Sequence, residues 1–414
     1  MVPAAHSGAL AALLSSDSPP ASVLPAALRE RVSRFHEERV RGAWGGGIIT
    51  RGRAPGPDSV LLTSNDYLAL AADPRIAKSM GDCLADVGTG VLASGVLLHG
   101  DHPQLLLEQG LAAHLGMPAG ILCQSGWDAN LGLLQSVADR TTPVYIDLLA
   151  HMSLWQGARD AGAPVYGFRH NDPAHLRRKT AEHGPGVICV DSVYSSNGSL
   201  CPLGEICDVA EESGSVLVVD ESHSLGTHGA HGEGLTAGLG LAHRVHFQVA
   251  SLSKAFAGRA GFVACCDPEF VDYFRFESYP AIFSSTLLPH DVAGLATALE
   301  AVRTDDWRRA RLREISTRVR DEIGGLGYDL QSSDSQIVSL QTGPDRGGIQ
   351  VRDLLEERGV FGSMFFAPAV PNNRTLVRFS LHAALTDDDV TRLVDACRDI
   401  RDTYATIWPR GLTA

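Results

Sequence analysis

A lysine directly after an apolar, strand-like run is the first residue whose surroundings indicate chemistry. The run Gln248-Val-Ala-Ser-Leu-Ser-Lys254 places an ε-amine after two hydroxyl side chains, and small residues and Gly258 follow it. Burial lowers the pKa of a lysine, so that its neutral amine can attack a carbonyl carbon and form a Schiff base. Taken alone, the run is also compatible with a surface lysine at the start of a helix.

A carboxylate and an imidazole follow a second apolar run, Val216-Leu-Val-Val-Asp220-Glu-Ser-His223. A carboxylate can keep the ring nitrogen of pyridoxal phosphate (PLP) protonated, which makes that ring an electron sink. Asp220 suits this role, and His223 is placed to hydrogen-bond the phenolic oxygen of the ring. The alternative is a metal site built from His223, His228 and His231, whose gaps of five and three residues match no usual zinc spacing.

A hydroxyl residue and a glycine open an apolar helix at Ser125-Gly126-Trp127. Exposed backbone N–H groups and a hydroxyl at a helix N-terminus form a seat for phosphate, although ordinary helix initiation uses the same residue types. The glycine-containing run 88–93 departs from the dinucleotide fingerprint, because its last position is Ala93 and no apolar strand precedes it. A nicotinamide-dependent oxidoreductase therefore stays a minor alternative.

The elements that must position these residues alternate between apolar strands and amphipathic helices. Five short runs are strand candidates: 144–147, 186–191, 215–220, 247–251 and 261–266. Fully apolar strands separated by helices indicate a mostly parallel sheet that is covered on both faces. Ligands of such sheets bind beyond the carboxyl ends of the strands. The side chains expected at that edge are Asp147, Asp191, Asp220 and Lys254.

The ends of the chain have a different pattern. Residues 1 to about 24 are rich in Ala, Ser and Pro and are expected to be loose, and a helix from Pro25 ends at Gly45-Gly46-Gly47. A long helix is predicted over 292–320, and strands at 337–341 and 375–381 flank a helix at 351–358. The predicted division is an N-terminal arm and helix (1–60), a large PLP-binding domain (61–290) and a small α+β domain (291–414).

Composition excludes several classes of function. The chain has 414 residues, is 44% hydrophobic and carries a net charge of −13, so a basic face for nucleic acid or anionic membrane is not expected. No run reaches the ~18 apolar residues of a membrane span, and no basic residue precedes the apolar run near the N-terminus. Eight cysteines without a C-x-x-C pair predict reduced thiols in a cytoplasmic protein.

Eight segments, taken in order, resemble the α-oxoamine synthase family of fold-type I PLP enzymes, which condense an acyl thioester with an amino acid. They are Thr63-Ser-Asn-Asp-Tyr67-Leu-Ala-Leu70, Ser125-Gly-Trp-Asp-Ala-Asn130, Asp147-Leu-Leu-Ala-His151, Asp191-Ser-Val-Tyr-Ser195-Ser-Asn-Gly198, Asp220-Glu-Ser-His223-Ser-Leu-Gly226, Ser251-Leu-Ser-Lys254, Phe283-Ser-Ser285 and Val377-Arg378-Phe-Ser-Leu381. They span about residues 60 to 400, and three of them most resemble the branch of α-hydroxyketone autoinducer synthases.

The resemblance implies a role for each candidate residue. Lys254 holds PLP, Asp220 pairs with its pyridine nitrogen and His151 stacks on its ring. His223 and Ser195 are expected to contact the phenolic oxygen of PLP. The phosphate is expected to be held by Ser125, Gly126, Trp127 and Ser251, together with Ser285 of a second subunit. Arg378 is expected to meet the substrate carboxylate, and Asn65 is also assigned to substrate binding.

The same resemblance implies a homodimer with active sites at the subunit interface. Its predicted reaction condenses a medium-chain acyl-CoA with S-adenosylmethionine or a small amino acid, with decarboxylation, to give an aminoketone-type signal precursor. The alternatives are a primary-metabolic member of the family, such as an 8-amino-7-oxononanoate synthase, and a catalytically dead regulatory homologue. No metal is predicted.

Overall fold

The structure is a computed structural model that describes residues 23–90 and 92–404. Its strands, in chain order, are β1 (Val60–Leu62), β2 (Ala119–Cys123), β3 (Val144–Asp147), β4 (Val165–Phe168), β5 (Val187–Asp191), β6 (Val216–Asp220), β7 (Phe247–Ser251), β8 (Gly261–Cys265), β9 (Ile337–Gly343), β10 (Val360–Phe365) and β11 (Thr375–Ser380). The chain divides into two compact units, one up to Arg51 and one from Gly52 onward.

The helices follow the same chain order. They are α1 (Ala26–Phe35), α2 (Pro74–Val87), α3 (Pro103–His114), α4 (Gly126–Val137), α5 (Met152–Asp160), α6 (Pro173–His183), α7 (Leu203–Ser213), α8 (Leu235–Gly238), α9 (Glu269–Glu277), α10 (Tyr279–Ile282), α11 (Pro289–Thr304), α12 (Asp306–Gly325), α13 (Asp345–Glu357) and α14 (Asp387–Tyr404). None of the helices in the described ranges is long and apolar enough to cross a membrane.

The N-terminal unit contains α1 and a π-helical segment, His36–Ala43. The predicted helix from Pro25 is therefore confirmed at its start, while its second half has the wider π-helical turn. The rings of Phe35 and Trp44 meet edge to face at 5.8 Å, which ties the two parts together. The expectation of a loose start falls mostly on residues 1–22, which lie outside the described residues.

Seven strands form the larger sheet, in the spatial order β2-β8-β7-β6-β5-β3-β4. Strand β8 runs antiparallel to both of its neighbours and the other four strand pairs are parallel, so the expectation of a mostly parallel sheet is confirmed. Strands β5 and β8 are buried at every position because helices cover both faces of the sheet. All five predicted strands are present to within one residue at each end. Strands β2 and β4 were not predicted.

A second sheet has the order β1-β10-β11-β9, with β1 parallel to β10 and the other pairs antiparallel. Its helix α13 begins six residues earlier than predicted, at Asp345. Strand β1 comes from the other end of the chain and crosses the predicted boundary at residue 61. The three-part division as a whole stays a prediction.

The single long helix predicted over 292–320 is wrong. The structure has two helices, α11 and α12, which are separated at Asp305 (φ −92°, ψ 58°). The carboxylate of Asp305 binds the guanidinium groups of Arg75 and Arg308 there. The contact between Asp305 and Arg75 of α2 holds the chain in the conformation that separates the two helices. The spacing of apolar residues along 292–320 does not reveal this separation.

Candidate active site

Two buried carboxylates lie side by side at the carboxyl edge of the larger sheet. Asp191 and Asp220 end β5 and β6, and their Cα atoms are register partners. Burial and the neighbouring Asp220 carboxylate raise the pKa of Asp191 well above its usual value, so Asp191 is the member of the pair that holds a proton. The third predicted carboxylate, Asp147, binds His170 Nδ1 and the backbone N–H groups of Leu149 and Asn171 and holds a loop instead.

Lys254 follows the adjacent strand β7 and lies in the same cavity as the two carboxylates. Burial lowers the pKa of its amine to about 8, against the opposing attraction of the Asp220 carboxylate. The backbone N–H of Ser251 donates to Ser222 Oγ at 2.7 Å and joins the end of β7 to the loop after β6. A half-buried amine of this kind has a substantial neutral fraction near neutral pH, as the Schiff-base hypothesis requires.

Asn130, on α4, connects Asp220 to His151. Its amide nitrogen donates to Asp220 Oδ2 at 2.8 Å and to Ser153 Oγ at 2.9 Å. The Ser153 hydroxyl is then free to donate to His151 Nδ1 at 2.7 Å, which leaves the ring proton on Nε2. Burial and Lys254 lower the pKa of His151, so this imidazole is neutral and presents an N–H donor.

The N-terminus of α4 forms another wall of the site. Ser125 caps the helix, since its Oγ accepts from the backbone N–H of Asp128 at 3.1 Å. A Cβ on Gly126 would lie 2.6 Å from Ser251 Cβ, so only glycine allows the helix to approach β7 so closely. The first N–H groups of a helix have no partner within it, and they are donors suited to an anion.

These groups surround one cavity of about 290 Å³. Its lining includes Ser125, Gly126, Trp127, Asn130, His151, Asp191, Asp220, Ser222, His223, Ser251, Ser253 and Lys254. By charge and type, the amine, the buried carboxylate and the helix N-terminus match the carbonyl carbon, the pyridine nitrogen and the phosphate of PLP. The residues present therefore fit this cofactor.

A neighbouring cavity of about 560 Å³ shares His151, His223 and Lys254 with the first. Arg378 also lines it and is buried, with its guanidinium donating to Asn65 Oδ1 at 2.9 Å and to Ser195 O at 3.0 Å. No carboxylate forms an ion pair with Arg378 within the part of the chain that the structure describes. A buried cation without a counter-charge is suited to an anionic ligand.

His223 is the second imidazole of the site and is bound to a tyrosine that the sequence analysis did not single out. Tyr67 OH lies 2.6 Å from His223 Nδ1. Burial and Lys254 keep the pKa of His223 well below its usual value, and burial raises the pKa of Tyr67 to about 12, so both groups are neutral. Tyr67 belongs to one of the segments that resemble the family, but it lies 156 positions before His223, so the sequence does not indicate their contact.

The structure brings together every predicted site residue except Ser285. Ser285 lines a separate cavity with Gln104 and Thr286, and its carbonyl accepts from the Gln124 side chain. Its assignment to the site of a second subunit stays a prediction. The residues that sequence reasoning missed are Asn130, Ser153, Ser222, Ser253 and Tyr67. Asn130 could have been predicted as a site residue, since it is the last residue of the family-like segment that begins at Ser125.

The histidines of the alternative metal site point to other partners. His228 Nδ1 lies 2.9 Å from Thr227 Oγ1, and His223 Nδ1 is bound to Tyr67. Residues 23–90 and 92–404 contain no group of three or more His, Cys, Asp or Glu side chains arranged to hold a metal ion.

Comparison with known proteins places this geometry in a family. The model of the aminotransferase class I and II family matches residues 57–397. The CAI-1 autoinducer synthase of Vibrio campbellii is 40% identical over 385 residues, which cover 93% of this chain and 97% of that protein. The 8-amino-7-oxononanoate synthase of Alkalilimnicola ehrlichii is 35% identical over 347 residues, with coverages of 83% and 88%.

Solved structures of related enzymes have the same fold as this chain. A structure of serine palmitoyltransferase with PLP aligns with a TM-score of 0.81 and 25% identity, over 92% of this chain and 98% of that one. The donor set that fits PLP lies at the carboxyl edge of the larger sheet of this chain. The chain therefore belongs to the aminotransferase class I and II family, as a PLP-dependent acyltransferase of the α-oxoamine synthase group.

Proposed function

We propose that this enzyme condenses a medium-chain acyl-CoA with S-adenosylmethionine or a small amino acid, with decarboxylation, to give an aminoketone-type signal precursor. One observation carries the proposal: His151, His223 and Lys254 line both the cofactor-type cavity and the adjacent cavity that contains Arg378. A substrate in the larger cavity would therefore meet the reactive groups of the smaller one. The 40% identity to a CAI-1 autoinducer synthase favours a signal precursor as the product.

The proposed cofactor contacts follow the donor set. Lys254 would bind the PLP carbonyl carbon, Asp220 its ring nitrogen and His151 the face of its ring. His223 and Ser195 would hold the phenolic oxygen. The phosphate would be held by Ser125, Gly126, Trp127 and Ser251, and by Ser285 of a second subunit. When bound, PLP withdraws electrons from the α-carbon of an attached amino acid, which makes its proton and carboxylate removable.

Arg378 would fix the carboxylate of the amino substrate. Its guanidinium is held in place by Asn65 Oδ1 and Ser195 O, and it stacks 4.5 Å from the centre of the Phe365 ring. A planar guanidinium can bind a carboxylate through two parallel hydrogen bonds, and a lysine ammonium cannot. The carboxylate would thus be oriented before it leaves as carbon dioxide.

Proton transfer falls to two side chains of the site. The Lys254 amine would act as a base toward the amino substrate, since its lowered pKa suits removal of the α-proton at neutral pH. His151 Nε2 carries the ring proton that the Ser153 hydrogen bond leaves there, so it is a donor toward the acyl oxygen. Asn130 and Ser153 hold that imidazole in position.

The larger cavity suits an acyl thioester because much of its wall is apolar. Leu148, Met152 and Trp155 form one side, and Phe365 and Val370 lie in the lining as well. Leu148 and Met152 are 56% and 40% exposed, so both present apolar surface that a ligand in this cavity could cover.

We further propose a homodimer in the cytoplasm. Tyr279 and Phe283, next to Ser285, are 65% and 80% exposed, and neighbouring exposed aromatic side chains are typical of a subunit interface. All eight cysteines are free thiols, which suits a reducing compartment.

Product analysis tests the proposed function. Purified holoenzyme is given decanoyl-CoA or pimeloyl-CoA with S-adenosylmethionine, 2-aminobutyrate or alanine, and products are identified by mass spectrometry. We expect a decarboxylated condensation product from decanoyl-CoA with one of the first two amino donors. A clear preference for pimeloyl-CoA with alanine would instead identify an 8-amino-7-oxononanoate synthase.

A further inference from the structure

The larger cavity has a third cation that the proposed chemistry does not use. Lys254 and Arg378 lie at its reactive end, while Arg159 lines it from the last turn of α5 and is exposed. Neither cofactor binding nor recognition of an amino acid carboxylate requires a charge at this position.

Arg159 has no acidic partner within the described parts of the chain. The adjacent carboxylate, Asp160, instead accepts a hydrogen bond from Gln156 Nε2 at 2.8 Å. Exposed arginines elsewhere in the protein are commonly paired, as Arg177 is with Glu212. Arg159 therefore presents a free guanidinium at a cavity in a chain whose net charge is −13.

The position of Arg159 along α5 sets its distance from the reacting atoms. His151 is the N-cap of this helix, and Arg159 is eight residues further on. At 1.5 Å per residue the two positions are about 12 Å apart along the helix axis. Met152 and Trp155 also line the cavity from this helix. Trp155 is three residues after Met152, and Arg159 is four residues after Trp155, so the three side chains share one face of the helix.

This arrangement matches the chemistry of a coenzyme A thioester. Such a molecule has a reactive carbonyl at one end, a long uncharged pantetheine arm, and phosphate groups at the far end. A guanidinium binds phosphate oxygens through paired, charge-assisted hydrogen bonds. An apolar helix face that begins at a reactive histidine and ends at a free arginine provides contacts in the same order.

We infer that Arg159 is the phosphate-binding residue of the acyl-CoA site, with the pantetheine arm lying along Met152 and Trp155. The inference rests on the proposed function, since it takes the acyl donor to be a CoA thioester. It makes Arg159 a specificity residue that favours thioesters with phosphate groups over those without them.

The test compares two acyl donors that share the acyl group and the pantetheine arm. Decanoyl-CoA carries in addition the 3′-phospho-ADP group with all of its phosphates, and decanoyl-pantetheine lacks this group. For Arg159→Ala, the ratio of kcat/KM for decanoyl-CoA to kcat/KM for decanoyl-pantetheine is expected to fall about tenfold, which corresponds to 1.4 kcal/mol. The dissociation constant of free CoA, measured by calorimetry on the holoenzyme, should rise by a similar factor, and Arg159→Lys should retain part of the effect.

Arg178→Ala is the matched control. Arg178 is also an exposed helical arginine that forms no ion pair with residues 23–90 or 92–404, but it lies on α6 and does not line the cavity. Both variants change the net charge by the same amount, so a general electrostatic effect on the anionic substrate would be equal in the two.

Two results would overturn the inference: an unchanged ratio and CoA affinity in Arg159→Ala, or an equal fall in Arg178→Ala. Failure of the proposed function has a different signature, because wild-type enzyme would then make no product from either decanoyl thioester. In that event the CoA dissociation constants of the wild-type, Arg159→Ala and Arg178→Ala proteins still decide the inference.

Discussion

Burial of Lys254 in the fold lowers the pKa of its amine. Its pKa is lowered from 10.5 to about 8, so the amine is mostly protonated below pH 8 and mostly neutral above it. Only the neutral form attacks a carbonyl carbon. The rate at which apoprotein takes up PLP, followed by absorbance, is expected to rise about tenfold per pH unit below pH 8 and to level off above it. A rate that kept rising beyond pH 9 would show an ordinary lysine.

The two adjacent carboxylates are expected to respond differently to the same substitution. Asp220→Asn removes the anion proposed to pair with the ring nitrogen. It should slow exchange of the amino substrate's α-proton with deuterium oxide by about tenfold to hundredfold, as for loss of a charge-assisted hydrogen bond. Asp191→Asn should retain most of the exchange, because burial keeps that carboxyl protonated already. Proton exchange by NMR distinguishes the two, and equal losses would contradict the assignment.

At the scale of secondary-structure elements, the approach of α4 to β7 is the contact on which the cofactor cavity depends. Gly126→Ala would place a Cβ 2.6 Å from Ser251 Cβ and 2.9 Å from its Cα. We expect it to destabilise the protein by about 1–3 kcal/mol and to weaken PLP binding. Gly81→Ala, inside α2 where nothing lies within 4 Å, is the control and should be neutral or stabilising. Denaturant unfolding and PLP titration measure both effects, and a tolerated Gly126→Ala would contradict this packing.

How far the sequence predicts these elements depends on where their signals lie. Strands β3 and β5 to β8 were predicted because each is a continuous apolar run within one segment. Strand β4 was missed because Tyr166 and Gly167 interrupt its apolar character, and the break at Asp305 was missed because its arginine partners come partly from α2. At the site, strand ends predicted the Asp191 and Asp220 pair. The Tyr67 bond to His223 joins distant segments and has no local signal.

At the scale of the whole molecule, the proposal requires two subunits for one complete site. Ser285→Asp puts a carboxylate next to the expected phosphate position and should abolish turnover. If Ser285 acts across the interface, mixing this variant with inactive Lys254→Ala restores one intact site in each mixed dimer, or about a quarter of wild-type activity after full exchange. If both residues act in the same subunit, the mixture stays inactive. The measurement is turnover of the exchanged mixture against each variant alone.

The central claim, that Lys254 binds the cofactor, can be tested directly because the chain contains only three lysines. Lys78 and Lys179 are paired with Asp82 and Glu182 on the surfaces of α2 and α6, away from both cavities. Holoenzyme is treated with borohydride, which makes a PLP–lysine bond permanent, and then digested for peptide mapping by mass spectrometry. The account predicts the label on Lys254 alone, and none in Lys254→Ala. Label on Lys78 or Lys179, or a labelled Lys254→Ala protein, would contradict it.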